Sequence, residues 1–452
     1  MKMKIKIIIA LFITSVINSF GQSKPNIILI LADDLGYADV GYHGGKEIPT
    51  KNIDYLASTG TYFTAGYAMA PVCAPSRAGM LTGRYQNRFG FEDNPDGPFR
   101  QTKEVKPGIP LDELTIGELL HREGYKTAWI GKDHQGKYEE FMPYNRGFDF
   151  FFGFNNGASS YFVKDNKKQM LLKGNKPVKN ESGYLTDAFG REAIHFIKRN
   201  KDKPFFLYVP FNAIHGPLQA KPKDLKLFNN IVDEKRRTLA AMHYAMDRNI
   251  GKIIDEVKAQ NLEENTLIIF YSDNGGKPND NHSYNYPLKG QKGEVLEGGI
   301  RVPFLFRWKG KIKENKQLDF PIAAIDIFPT IMSAINSTTI LDKKLDGIDL
   351  MPYLTNKKVA PENREIYWRF LYQWAVRNNE WKLMKLKDKN ELELYHISED
   401  ISESKNVVKD YPDIAKELKN KFDSWSEEMM KPQWSWQPQF GGPIDLRKSK
   451  KK

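Results

Sequence analysis

The chain has 452 residues, 40% of them hydrophobic and 12% aromatic, enough apolar material to bury a large core and to exclude a disordered protein. Its formal charge is +12 at neutral pH, so the surface favours anionic partners, and a single cysteine excludes a disulfide framework.

At the N-terminus, Lys2, Lys4 and Lys6 precede an apolar run from Ile7 to Ile17, with small and polar residues at 18–22. This basic, apolar, small order predicts a secretory signal peptide over residues 1–21 and an exported protein, periplasmic or secreted. The run is too short to span a bilayer and no cysteine follows it, which argues against a membrane or lipid anchor. An exported basic chain without a nucleic-acid module suits a polyanionic glycan better than nucleic acid, although charge alone does not separate the two.

Strands are expected at Asn26–Ala32, Lys126–Ile130, Phe205–Val209 and Thr266–Tyr271, each a short apolar run. Helical patterns lie between them at Leu114–Glu123, Thr186–Lys198 and Glu234–Lys258. The last puts Leu239, Met242, Met246, Ile250, Ile253 and Val257 on one stripe. This alternation predicts an α/β fold, a large mixed but mostly parallel sheet flanked by helices, over residues 22–355. Four further strand patterns, Ile366–Tyr372, Trp374–Arg377, Trp381–Leu386 and Leu392–Ile397, precede a helix at Pro412–Met429. They predict a small antiparallel sheet with one helix over 356–430, and residues 431–452 read as a surface tail.

In open α/β sheets, ligands sit beyond the carboxyl ends of the strands. Asn26–Ala32 is followed there by Asp33 and Asp34, and Lys126–Ile130 by Lys132, Asp133 and His134. Phe205–Val209 leads to His215, and Thr266–Tyr271 to Asp273 and Asn274. Asp33, Asp34, Asp273 and Asn274 are all oxygen donors, a set that suits calcium first and magnesium second. Cys73 lies in Cys-Ala-Pro-Ser-Arg, with Pro75 placed to open a helix and Gly83 to close it. Its side chain is therefore expected near a helix N-terminus, where an anion is favoured, with Arg77 one turn on.

The run Cys73-Ala74-Pro75-Ser76-Arg77, followed by Ala78-Gly79-Met80-Leu81-Thr82-Gly83, resembles the maturation signature of the formylglycine-dependent (type I) sulfatases, a family of the alkaline-phosphatase superfamily. The likeness extends through Ala32–Tyr37, Gly124–Lys132, Ser272–Gly276, Leu288–Gly293 and Glu297–Pro303 to the strand ending Glu393-Leu394-Tyr395. The resemblance implies that a maturation enzyme oxidises Cys73 to formylglycine, whose hydrate attacks the sulfur of a sulfate ester. It implies that Asp33, Asp34, Asp273, Asn274 and the side chain at position 73 surround a calcium ion. Arg77 would steady the nucleophile, while Lys132 and Lys292 bind sulfate oxygens. His134 would be the base that collapses the sulfated hydrate, and His215 the proton donor to the leaving alcohol.

The implied substrate is a sulfated polysaccharide or its oligosaccharides, such as ulvan, carrageenan or a glycosaminoglycan. The alternatives are a phosphodiesterase or phosphonate hydrolase of the same superfamily, and a non-enzymatic glycan-binding protein with an unconverted Cys73. One residue departs from the family pattern: Asp133 stands where an aromatic is usual, which is expected to alter how substrate rests beside Lys132 and His134. His121, His195 and His243 fall in helical patterns and read as structural or exposed, and His396 falls in the small C-terminal sheet. His282 reads as a solvated loop residue, and His43 is left open.

Overall fold

The computed structural model describes residues 24–434 apart from 97–104, 163–170, 179, 180, 182, 363, 388 and 390. The expected signal peptide and most of the expected tail lie outside the described residues. In chain order the strands are β1 (Asn26–Ala32), β2 (Thr61–Phe63), β3 (Gly66–Tyr67), β4 (Lys126–Lys132), β5 (Phe150–Phe154), β6 (Leu172–Lys173), β7 (Lys176–Pro177) and β8 (Phe205–Pro210). They continue as β9 (Thr266–Ser272), β10 (Phe304–Arg307), β11 (Lys316–Leu318), β12 (Ile322–Ala323), β13 (Ile366–Phe370), β14 (Gln373–Arg377), β15 (Trp381–Lys385) and β16 (Glu393–His396).

Ten of these form one sheet in the order β11-β2-β10-β9-β1-β8-β4-β5-β6-β7. Its centre, β9-β1-β8-β4-β5, is parallel, while β10 and β6 run antiparallel to the strands beside them. Every residue of β1 is buried, as a strand covered on both faces requires. Ile27, Leu29 and Leu31 enter one core, and Ile28, Ile30 and Ala32 the other, following the two-residue alternation of a strand. The second core is roofed by helices Leu185–Asn200 and Glu234–Ala259, and the stripe from Leu239 to Val257 is buried there as its spacing predicts. Asp233 caps the longer helix through the Arg236 N–H, and Thr115 and Glu118 form a capping box that starts helix Ile116–Arg122.

β13–β16 form the antiparallel sheet expected near the C-terminus, with helix Pro412–Glu427 against it. Its apolar face is continuous with the first core: Leu29, Ile300, Trp368, Leu383 and Phe422 belong to one cluster. The Trp368 indole N–H donates to the Ala68 carbonyl at 2.8 Å. Lys382 is wholly buried between Glu297 and Glu403, at 2.9 and 2.7 Å. The change of texture near residue 355 therefore marks a change of sheet architecture within a shared core. Among the described residues, no helix is long and apolar enough to cross a membrane.

Candidate active site

β9, β1, β8 and β4 are immediate neighbours in the sheet, so their carboxyl ends form one continuous rim. The four chemically loaded segments read from the sequence converge on it. The chain turns sharply there: Asp34 and His134, both non-glycine, adopt left-handed backbone conformations at φ 61° and 62°. Such strain persists only where surrounding structure holds it, and it clusters at functional sites. Gly131, just before Lys132, has no room for a side chain, because a Cβ there would lie 1.9 Å from the Pro210 carbonyl oxygen.

Cys73 opens helix Cys73–Thr82, which Gly83 closes in a left-handed conformation, so the thiol sits at a helix N-terminus as its sequence context predicts. Its Sγ is buried, 3.5 Å from Asp33 Oδ1, 3.9 Å from Asp34 Oδ1 and 3.1 Å from Lys292 Nζ. Lys292 Nζ also reaches Asp34 Oδ1 at 2.6 Å, and Lys132 Nζ reaches Asp33 Oδ2 at 2.6 Å. Arg77, wholly buried, donates to Asp273 Oδ2 at 2.8 Å, lies 3.5 Å from Asp33 Oδ2 and donates to the Lys132 carbonyl at 3.0 Å. Asn274 Nδ2 donates to Asp34 Oδ1 at 2.7 Å, while its buried Oδ1 has no hydrogen-bond partner.

Donor atoms of Asp33, Asp34, Cys73 and His215 all lie within 4.8 Å of one another. His215 Nε2 is 3.7 Å from Asp34 Oδ2, and its Nδ1 is 2.7 Å from the Gly216 carbonyl. A carbonyl partner requires the proton on Nδ1, which leaves Nε2 as the titrating nitrogen that faces the site. His134, also buried, places Nε2 3.0 Å from Asp96 Oδ2. Lys137 and the Gly157 N–H hold Asp96 from other sides.

The charges are strongly coupled. Burial opposes ionisation of Asp33 and Asp34, yet the surrounding cations, Lys132 foremost for Asp33 and Lys292 for Asp34, hold both below the usual carboxylate range. Burial and the neighbouring Asp33 push Asp273 up to about 6 despite Arg77. Burial pushes the Cys73 thiol up to about 12, so the unmodified side chain is a neutral thiol. Burial pulls His134 down to about 4 against the lift from Asp96, and burial, reinforced by Lys292, also lowers His215.

Asp133 corrects an expectation. Successive side chains of an extended segment alternate, so it points away from the rim into an interior cavity with Leu81, Trp129, Phe141 and Phe148. It is fully buried, and burial outweighs the Gln135 N–H and the Arg77 and Arg146 charges nearby in opposing its ionisation. It does not line the cavity of about 430 Å³ that opens over Asp34, His215 and Lys292. Asp96 went unnoticed in the sequence because nothing local to it signals chemistry. The same is true of Asn94, whose Oδ1 accepts from the Ala74 N–H at 3.1 Å.

The remaining histidines are structural or exposed. His43 stacks on Tyr37 with ring centroids 3.9 Å apart, His243 is buried in its helix, and His282 pairs with Asp233 at 2.9 Å. His121, His195 and His396 pair with Asp149, Glu192 and Glu399.

The mixed sheet with this rim defines a hydrolase of the alkaline-phosphatase-like superfamily. The chain belongs to the sulfatase family, the enzymes that hydrolyse sulfuric esters: the family model described as Sulfatase matches residues 25–337. A second, described as N-sulphoglucosamine sulphohydrolase, C-terminal, matches residues 291–428. The chain is 29% identical to the uncharacterized sulfatase YdeN of Escherichia coli, over 88% of this chain and 84% of that one. It is also 29% identical to a sulfatase of Formosa agariphila, over 92% and 91%. The solved structure of Ps i-CgsB in complex with k-i-k-neocarrahexaose superposes with a TM-score of 0.88 at 37% identity, covering 95% of this chain and 98% of that one.

Proposed function

We propose that this chain hydrolyses sulfate esters of a sulfated polysaccharide or its oligosaccharides, of the carrageenan type, using formylglycine at position 73 and a bound calcium ion. The observation that carries the reading is the seat of Cys73: a buried thiol at a helix N-terminus, 3.5 Å from Asp33 and 3.1 Å from Lys292. The likeness to Ps i-CgsB, solved with a carrageenan hexaose, supports the substrate class. The basic N-terminal segment supports export, and an exported enzyme meets such polymers directly.

The residues present fit a hard cation. Asp33 and Asp34 are held ionised, and the buried Asn274 Oδ1 is an acceptor without a donor. Asp273 completes the oxygen set from the next position in the chain. Asp33, Asp34 and Asp273 face Arg77, Lys132 and Lys292, three negative groups against three positive ones. A divalent cation and the ester monoanion therefore leave one net positive charge on the buried site, which the second negative charge of the released sulfate dianion balances. Bound there, calcium would draw charge from a sulfate oxygen.

The chain's own groups supply the rest. Lys132 and Lys292, which now contact Asp33 and Asp34, turn toward the equatorial oxygens of sulfate and offset the charge that develops there. A hydrated aldehyde at 73 would supply the in-line nucleophile, with Asp33, whose Oδ1 lies 3.5 Å from the Cys73 Sγ, placed to take the proton of the attacking hydroxyl. Arg77 holds the helix start and the Asp33–Asp273 carboxylates in register. His215 Nε2 gives its proton to the leaving oxygen, because an incoming sulfate ester favours the imidazolium that burial alone opposes. His134, neutral at pH 7, takes the proton of the second hydroxyl, which expels sulfate and restores the aldehyde.

The test is expression with a formylglycine-generating enzyme and measurement of sulfate release from a panel of defined sulfated saccharides, beside Cys73→Ala. Release by the parent alone is expected, together with one calcium per chain by elemental analysis. Equal release by both proteins refutes the nucleophile. Two tightly held transition-metal ions would support a phosphodiester or phosphonate hydrolase instead.

A further inference from the structure

The loop 277–286 separates two cavities. On one side is the mouth over Asp34, His215 and Lys292, to which the loop contributes Lys277, Asp280 and Asn281. On the other is a cavity of about 530 Å³ whose lining includes Ala38, Lys46, Ile48, Arg236, Tyr284 and Tyr286. They are neighbours by chain position as well, since Lys235 lines the first and Arg236 the second. The loop is fastened to the catalytic rim. The Gly36 N–H donates to Ser283 Oγ at 2.9 Å, the Ala38 N–H to the Tyr284 carbonyl at 3.0 Å, and the Gly276 N–H to Asn285 Oδ1 at 2.8 Å.

The second cavity carries two exposed aromatics on a rigid support. Tyr286 is 80% exposed and Tyr284 45%. The Tyr284 ring lies 3.9 Å from the Arg236 guanidinium, which is itself 2% exposed and tied at 2.7 Å to both Asp39 and Glu47. The ring is thus pre-ordered, and stacking on it loses little side-chain entropy. A large exposed aromatic is commonplace singly, but two on one anchored loop beside a catalytic mouth make a platform. Tyrosine offers an apolar face to ring C–H groups and a hydroxyl to sugar oxygens, and the exposed Lys46 adds a cation at the edge.

We propose that this cavity is a sugar subsite. It holds a pyranose unit flanking the one whose sulfate sits over Asp34 and Lys292, with Tyr284 and Tyr286 as the stacking surface and Lys46 answering a flanking sulfate. The inference rests on the reading of the substrate as a sulfated saccharide. It makes the enzyme selective for oligosaccharides over single sulfated sugars, because a single sugar over Asp34 and Lys292 leaves the second cavity unused.

The test measures binding without turnover, in a Cys73→Ala background, by titration calorimetry with a sulfated carrageenan hexasaccharide and with a galactose monosulfate. The Cys73→Ala protein is expected to prefer the hexasaccharide by at least tenfold. Tyr286→Ala and Lys46→Ala should each shrink that preference about three- to tenfold, and Tyr286→Phe should restore it. Tyr286 makes little buried contact, so its variants should melt with the parent. Hexasaccharide affinity that is unmoved by both substitutions overturns the subsite, as does equal loss for both ligands or a failure to bind the hexasaccharide at all. A parent enzyme that releases no sulfate, while Cys73→Ala binds as described, sinks the hydrolytic reading and leaves the subsite standing.

Discussion

Arg77→Met in metal-free buffer probes the charge balance of the rim most directly. Arg77 is the buried cation between Asp273 and Asp33, and without it three carboxylates, Asp33, Asp34 and Asp273, face Lys132 and Lys292 alone. Removing one partner of a buried pair costs about 3–5 kcal/mol, because the remaining charge stays buried and uncompensated. The pH dependence follows from Asp273, which is raised to about 6 even with Arg77 present. In the variant it rises further and remains protonated in the folded state at neutral pH, while in the unfolded chain it ionises near its ordinary value of 3.8. The folded variant then holds one more proton than the unfolded one, and its stability falls by about 1.4 kcal/mol per pH unit as pH rises from 6 to 8. The parent has largely lost that proton above pH 6 and has little such slope from this group.

The assay is thermal unfolding of both proteins with EDTA at pH 6, 7 and 8. A melting temperature lowered by roughly 5–10 °C at pH 8 and by clearly less at pH 6 is expected. Arg77→Lys should fall between, since it keeps the charge but loses the forked contact. Melting points that match the parent, or a deficit that does not grow with pH, would refute the charge-balance argument.

Three other outcomes are expected. The unconverted Cys73 thiol, buried and raised to about 12, should resist alkylation by iodoacetamide at pH 8 until the protein is unfolded; rapid labelling of native protein would show it to be accessible. Asp133→Asn should stabilise the fold, because burial lifts this carboxyl well above its ordinary value and the penalty grows as pH rises. A gain of about 1–3 kcal/mol at pH 8 that vanishes near pH 4 is expected in denaturant titrations, and a loss at both would count against it. Asp96→Asn should lower kcat by about ten- to a hundredfold and move the acid limb of the pH–rate profile to lower pH, since Asp96 lifts the His134 pKa against burial. An unmoved limb would detach Asp96 from His134.

Much of this protein was legible before its structure. The strands at Asn26, Lys126, Phe205 and Thr266 announced themselves because a strand buried on both faces must be apolar throughout. The long helix from Glu234 showed its stripe for the same reason. The short strands β2, β3, β6, β7, β11 and β12 did not, since two or three residues carry no period. Asp33, Asp34, Lys132, His134, His215, Asp273 and Asn274 were singled out by strand-end position, and Cys73 and Lys292 by their place in stretches that resemble the family's, because both signals are written locally. What the chain alone determined is which side chains could do chemistry and at which strand ends they stand.

Only tertiary structure decided that β9, β1, β8 and β4 are adjacent, so that four loaded ends make one rim. It also decided that Asp133 turns inward and that Asp96 stands against His134. It set Tyr284 and Tyr286 beside the mouth and joined the C-terminal sheet to the main core. The physical reason is common to all of these. Burial, ion pairing and pKa depend on neighbours distant in sequence, and such long-range pairings leave no local mark on the residues that make them.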